Sequence, residues 1–375
     1  MKKIIIFLVL LSTNIFAESG FTLKISSESV DSAAVKNAIQ TKNARLTNEL
    51  IKGSFFNELP MDAGKMKGTG INLDFNFGSG FLTNHIILGY AGLKNDSISS
   101  LQLVSSATAI NFFSINMAIN TQGNYLVSYN NNKLDLGNLG YLADLHIFKG
   151  RNEKYLEGLR LRLGFVIRAD AAKINAPYTM GSTSGVIRMT SSATTGGSPT
   201  TTVTPIATSG LNIPDMYAIT NSEYYAEIPL GFLYTLPIMD RHSLDLGLEY
   251  RYGKGLGKYE NKNTASVSIF PGMPAMPGTI KFKGDNELEI SGTNMSIAYN
   301  YQANEKFSFG IGYSSSSVTH KIAKSKVKNK DAVGFMDLLS GNMPKIIADS
   351  MAPLGPNPSN VDKRQSIFLS MNMKF

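Results

Sequence analysis

Alternation of apolar and polar residues with period two, recurring in segment after segment from residue 69 onward, constrains this chain more than any other feature. Leu159, Leu161, Leu163, Phe165 and Ile167 form one wholly apolar face, and Arg160, Arg162, Gly164, Val166 and Arg168 stand between them. Tyr224, Ala226, Ile228, Leu230, Phe232, Tyr234 and Leu236 alternate with Tyr225, Glu227, Pro229, Gly231, Leu233 and Thr235. Leu244, Leu246, Leu248, Tyr250 and Tyr252 alternate with Asp245, Gly247, Glu249 and Arg251, and Phe307, Phe309, Ile311 and Tyr313 with Ser308, Gly310, Gly312 and Ser314. Weaker copies run from Ile71 to Phe77, Leu82 to Tyr90, Phe113 to Ile119, Leu139 to Ile147 and Met295 to Tyr301. Period two puts alternate side chains on opposite faces of a strand. Segments of about 8–13 residues are long enough to cross a membrane as tilted strands.

A soluble sandwich would show the same alternation, so other signals must choose. Mean hydropathy is −0.05, and the one long apolar run is Ile4 to Leu11, so a bundle of membrane helices is excluded. Met1-Lys2-Lys3, Ile4 to Leu11, and Ser12 to Ala17 read as the basic, apolar and cleavage regions of a secretory signal peptide over 1–17. With no Cys, disulfides, thiolate metal sites and cysteine nucleophiles are excluded. Short connectors (Gly78-Ser79-Gly80, Asn120 to Gly123, Met239 to His242, Gln302 to Lys306) suit tight turns, whereas 180–210 and 322–363 read as long loops. The second of these carries a helix signal from Asp331 to Leu339. Turns on one side and large loops on the other fit a transmembrane barrel.

The last residues alternate Ile367, Leu369, Met371, Met373 and Phe375 with Ser366, Phe368, Ser370, Asn372 and Lys374. An alternating strand ending in Phe resembles the closing strand of Gram-negative outer-membrane β-barrels. That resemblance implies residence in the cell outer membrane, an assembly-signal role for Phe375, and two partners: outer-membrane lipid and the barrel-assembly machinery. Lipid offers no partners for backbone groups, so a spanning sheet must close on itself. The fold expected is all-β, a transmembrane antiparallel β-barrel of roughly 12–14 strands over 67–375. With no Trp in the chain, Tyr and Phe would form the interfacial girdle.

Residues 18–66 read differently. Gly20 to Ser26 suits a strand, and Asp31 to Ile51 a helix with Asp31 as N-cap and Val35, Ala38, Ile39, Leu46 and Leu50 on one stripe. Such a segment could plug the barrel, trail outside it, or add strands. Ser19-Gly20-Phe21 with Ser54-Phe55-Phe56-Asn57-Glu58-Leu59-Pro60-Met61 resembles the N-terminal hatch of the long-chain fatty-acid transporter family, and Ser296 to Tyr313 is similar to that family's late hairpins. The hairpin resembles general outer-membrane porins about as well.

On the inward face, Arg160, Arg162 and Arg168 would favour anions in a water-filled lumen, unless carboxylates pair with them. Asp144 lies roughly across from Arg160, and Glu227, Asp245, Glu249 and Arg251 look mutually compensating. Lys321, Lys324, Lys326, Lys328 and Lys330 form a basic run that suits either a solvated loop base or anionic lipid phosphates. His85, His146, His242 and His320 show no metal spacing, and Gly181 to Gly185 places Thr183 where a nucleophilic serine would stand. No enzyme, cofactor or metal site is expected, and a net charge of +8 spread along an exported chain does not suit nucleic acid. The expected function is a porin-like channel for small solutes. The alternatives are a hydrophobic-compound transporter with an N-terminal hatch and a surface-binding barrel with no open pore. Solute identity and oligomeric state are not encoded in these patterns.

Overall fold

The computed structural model describes residues 18–40, 45–47, 51–57, 64–95, 98–112, 115–129, 132–149, 156–191, 200–267, 276–334, 351–352 and 359–375. Residues 1–17, read from sequence as a signal peptide, lie outside them. The described elements are β1 (Glu18–Asp31), α1 (Ala33–Gln40), β2 (Arg45–Thr47), β3 (Ile51–Asn57), β4 (Met66–Ser79), β5 (Leu82–Lys94), β6 (Ile98–Phe112), β7 (Ile115–Tyr129), β8 (Lys133–Leu145), β9 (Leu159–Ser191), β10 (Thr200–Met239), β11 (His242–Val267), β12 (Met276–Gln302), β13 (Phe307–Gly334), β14 (Met351–Ala352) and β15 (Ser359–Lys374).

Ten of these strands close on themselves among the described residues, in the order β1-β4-β5-β8-β9-β10-β11-β12-β13-β15 and back to β1. Every pairing is antiparallel. The circuit is smaller than the 12–14 strands counted from alternation. The reason is that β7 carries the same pattern over Ile115, Met117 and Ile119 but leaves the wall together with β6. β5 pairs directly with β8 (Lys94↔Lys133), while β7 pairs with the far half of β9 and β6 with β3. β2 and β14 continue that outer sheet. The wall also starts earlier than residue 67, because β1 zips between β4 and β15 over nearly its whole length.

One end carries tight connections, the start of β1 and the end of β15. Gly80 takes φ 63° in the turn between β4 and β5, a conformation side chains other than glycine rarely adopt. Asp240 and Arg241 join β10 to β11. Between β12 and β13, Asn304 Oδ1 accepts from the Lys306 and Phe307 amides, each at 2.9 Å. At the other end the strands run on. β9 has 33 residues and β10 has 40, so 180–191 and 200–210 are strand where a loop was expected. β13 likewise continues through Gly334, which places the start of the Asp331–Leu339 helix signal in strand; the rest lies outside the described residues. Asn120 to Gly123 sits inside β7 rather than in a turn, with Asn120 and Gln122 exposed to water.

The outward face is greasy. Large apolar side chains such as Ile71, Phe75, Leu88, Leu139, Phe165, Ile228, Phe232, Leu248, Ile311 and Ile367 are exposed by 47% (Phe75) to 60% (Ile367). Their strand neighbours Asp144, Arg168, Glu227 and Glu249 are at most 7% exposed. A soluble sandwich would be turned the other way, so lipid covers this face. Tyr90, Tyr224, Tyr252 and Tyr313 stand towards the long-strand rim and Tyr299 and Tyr301 towards the turns, where amphipathic rings suit both interfaces. No described helix is long and apolar enough to cross a membrane. The molecule is an outer-membrane-type barrel, with short turns on one side and extended strands on the other.

Candidate functional site

All eight inward residues singled out from sequence face the lumen, and nearly all are engaged with one another. Nearest the turns, Arg160 Nη2 donates to Thr235 Oγ1 at 2.9 Å. Thr235 donates to Asp245 Oδ1 at 2.6 Å, and Asn300 donates to Asp245 Oδ2 at 2.8 Å. Deeper in, Asp144 is fully buried and takes a two-pronged contact from Arg162, Nε to Oδ1 at 2.7 Å and Nη2 to Oδ2 at 2.9 Å. The cross-strand partner of Asp144 is Arg162, two residues along from the expected Arg160, whose guanidinium still comes within 3.8 Å. Arg162 also reaches Glu249 at 3.3 Å, and Glu249 accepts from Arg251 at 3.1 Å and Asn294 at 3.2 Å. His85 bridges Asp74 at 3.0 Å and Asp144 at 3.2 Å.

Towards the long-strand end lies a second cluster that the sequence did not reveal. Arg168 pairs with Glu227 at 2.9 Å and Asp170 at 3.3 Å. Arg364 of β15 donates to Asp170 of β9 and to Asp362, both at 2.8 Å. β9 and β15 stand five strands apart whichever way the circuit is followed, so this bond crosses the full width of the barrel. Arg168 Nη2 lies 2.9 Å from His320 Nε2, and His320 Nδ1 lies 2.8 Å from Tyr225 Oη. A guanidinium only donates, so Nε2 accepts, Nδ1–H donates to Tyr225, and Tyr225 donates to Glu223. The Arg168 guanidinium also sits 4.8 Å over the Tyr225 ring. Asp170 shares the strand parity of Arg168, and Glu223 and Tyr225 share that of Glu227, so all three point inward. Which wall each would meet across the lumen has no sequence signal.

The helix α1 completes the filling. It is shorter than the Asp31–Ile51 stripe, and Ser32, rather than Asp31, accepts the capping bond from the Val35 amide at 3.3 Å. It packs against β9, β10 and β15 inside the barrel. Ala33, Ala34, Val35 and Ala38 are at most 2% exposed. Ala34, Val35 and Ala38 join Val30, Met66, Leu93, Leu134, Leu136, Ile174 and Ile219 in one apolar cluster. Polar bonds fasten its other side, one of them from Lys36 to the Val361 carbonyl at 3.3 Å. Asn37 donates to Glu223 at 2.8 Å, Asn360 donates to Asn37 at 2.7 Å, and Asn221 donates to the Ala34 carbonyl at 3.0 Å. Lys36 pairs with Asp31 at 2.7 Å.

Chemically this is a septum of matched charges beside a dry helix. The arginine row does not present free cations to solutes. No group of three His, Cys, Asp or Glu among the described residues is arranged to hold a metal. The run at Lys321 to Lys328 lies on the outer face of β13, where Lys321 meets Glu289 at 3.8 Å, Lys324 meets Glu287 at 3.1 Å and Lys328 pairs with Asp285. Phe375 is 75% exposed, and its amide donates to the Ser19 carbonyl at 2.9 Å.

No protein-family model matches the chain, and no curated protein does. Among solved structures it is similar to the outer-membrane protease OmpT of Escherichia coli, with 9% identity, 97% of each chain covered and a TM-score of 0.36. It is also similar to the toluene transporter TodX of Pseudomonas putida (7% identity, 96% of this chain and 90% of that one, TM-score 0.24). A third likeness is to a Pseudomonas aeruginosa FadL homologue (9% identity, 95% and 90%, TM-score 0.23). With every TM-score below 0.5, none of these likenesses bears on what the chain does. The closed barrel, its lipid-facing band and its charged, packed lumen stand on their own geometry.

Proposed function

We propose that the chain is an outer-membrane transporter that captures small hydrophobic compounds at its long-strand end, with α1 as the hatch. The observation that carries this reading is the seat of α1. It occupies an apolar-lined site inside a wall whose ladders close without it, and a few polar bonds hold it there. Were α1 displaced, Met66, Leu93, Leu134, Leu136, Ile174 and Ile219 would line the vacated site, which suits an apolar ligand. Free diffusion of polar solutes has less support. Passage along the axis would break charge pairs whose loss leaves buried ions unpaired, at about 3–5 kcal/mol for each partner removed. The reading includes no enzymatic step and no cofactor.

The surface-binding reading keeps one specific support, the septum bond from β15 to β9 that spans the lumen. One experiment separates the two. Residues 33–40 are replaced by a Gly/Ser linker of equal length, and the purified barrel is incubated with an aliphatic compound and weighed by native mass spectrometry. The hatch reading expects the replaced variant to retain the compound and a Leu134→Asp change in it to abolish retention. Retention by neither variant leaves the surface-binding barrel. Cutting away the whole of 18–66 would be uninformative, because it removes the wall strand β1.

A further inference from the structure

The outward rim at the long-strand end carries charge in two different arrangements. On β11, β12 and β13 it alternates in sign across the ladder. Lys254 opposes Glu289, which opposes Lys321, and Lys258 opposes Asp285, which opposes Lys326. On β4, β5, β8 and β9 it does not alternate. Lys67 opposes Lys94, Lys94 opposes Lys133, and Lys133 opposes Lys173. All four are exposed, and none of them is ion-paired among the described residues. The nearby Asp135 accepts from the Tyr90 hydroxyl at 2.7 Å and makes no ion pair with the row among the described residues, so at most one anion faces four cations. Directly opposed side chains on a sheet face stand about 4.5–5.5 Å apart, where like charges repel. Four lysines in one unbroken row therefore cost stability unless something anionic lies across them.

The row has a fixed place. Below it on the same strands and the same face lie Ile71, Leu88, Leu139 and Ile167, all exposed to lipid. Behind it, facing inward, lie Met66, Leu93, Leu134 and Ala172 of the apolar cluster, so the strands that carry the lysines are held rigidly. The row is thus a cationic strip at the upper margin of a greasy face, on the side with extended strands, which in a barrel of this kind faces the outer leaflet.

We infer that Lys67, Lys94, Lys133 and Lys173 form a binding site for a phosphorylated glycolipid of the outer leaflet, with the phosphates across the ammonium row and the acyl chains on the apolar face below. Its basis is that the barrel spans an outer membrane; how the lumen works does not enter. An ammonium row matches several phosphates at once, and the hydrocarbon beneath it is what a soluble anion would not use.

The test uses the full barrel in neutral detergent, incubated with a bisphosphorylated glucosamine glycolipid or with the same lipid stripped of phosphate. Retained lipid is read by native mass spectrometry. The phosphorylated form stays bound, and each of Lys67→Gln, Lys94→Gln, Lys133→Gln and Lys173→Gln weakens it about fivefold. Lys254→Gln and Lys321→Gln leave it unchanged. In lipid-free detergent the four row variants unfold in urea no earlier than the parent, since each relieves repulsion; this separates loss of the site from loss of the fold. Equal retention of the two lipids, or equal weakening by the Lys254 and Lys321 variants, overturns the inference. So does inorganic polyphosphate binding as tightly as the lipid, which would assign the row to a soluble anion. Conductance of the barrel would contradict the closed lumen and leave this result untouched.

Discussion

At the level of single residues, the lumen is held by charges that are costly to unpair. Arg168 is 5% exposed and faces Glu227, Asp170 and Asp362 together. Arg168→Met removes the close partner of buried Glu227 and one of the two guanidinium partners of Asp170 and Asp362, so urea unfolding in micelles should show a loss of about 3–5 kcal/mol. An unchanged midpoint would mean that water reaches these groups. Phe375 behaves in the opposite way. Its ring is largely exposed and only its amide bonds the wall. Deleting it should lower the yield of assembled barrel in cells, yet change the stability of assembled protein by less than about 0.5 kcal/mol. A large stability loss would make it a packing residue instead. The facing of these residues was legible, because parity along a strand assigns each side chain to lumen or lipid. Partnership was legible only locally. Asp144 was placed within two residues of its partner Arg162, whereas Arg168 and His320, 152 positions apart in sequence, could be matched only once the circuit had closed.

At the level of elements, period two marks a strand but not which sheet it joins. β7 alternates over Ile115, Met117 and Ile119 as wall strands do, yet it pairs with the far end of β9 and with β6, which in turn pairs with β3. For that reason the strand count exceeded ten. The direct pairing of β5 with β8 carries a consequence. Replacing residues 96–131 by a two-residue turn should leave a folded barrel whose resistance to heating in detergent matches the parent, because every wall ladder survives. Collapse of the barrel would mean that the outer sheet supports the wall. The helix was half legible. The stripe of Val35 and Ala38 was right, but it was carried on through Leu46 and Leu50, although β2 already holds Arg45–Thr47 in strand. Asn37, the residue that latches α1 to Glu223 and Asn360, sits on the polar side of that short helix. Asn37→Leu should loosen it, costing about 1–3 kcal/mol through the lost bond to the Glu223 carboxylate, which keeps Tyr225 and Asn221, and the loss of the acceptor for Asn360. Amide hydrogen exchange in 33–40 should rise ahead of exchange in β1; equal exchange would show that the latch is not what holds the helix.

At the level of the whole molecule, two environments explain the pattern. Lipid on the outside demands an apolar band and a closed circuit of hydrogen bonds. Inside, most of the described charges that point inward sit against an opposite charge, and β9 and β15 supply partners to one another from opposite walls. The sequence announced the first of these plainly, in alternation and strand length. It pointed to the second only locally, in carboxylates such as Asp144 and Glu249 set near the arginines, and gave no sign of which opposite wall would supply the remaining partners. The most direct measurement of the closed lumen is therefore single-channel recording of the full chain in a planar bilayer. The account predicts a silent baseline with no discrete steps, before and after the lysine-row substitutions. Steady, reproducible conductance from the unaltered protein would contradict it.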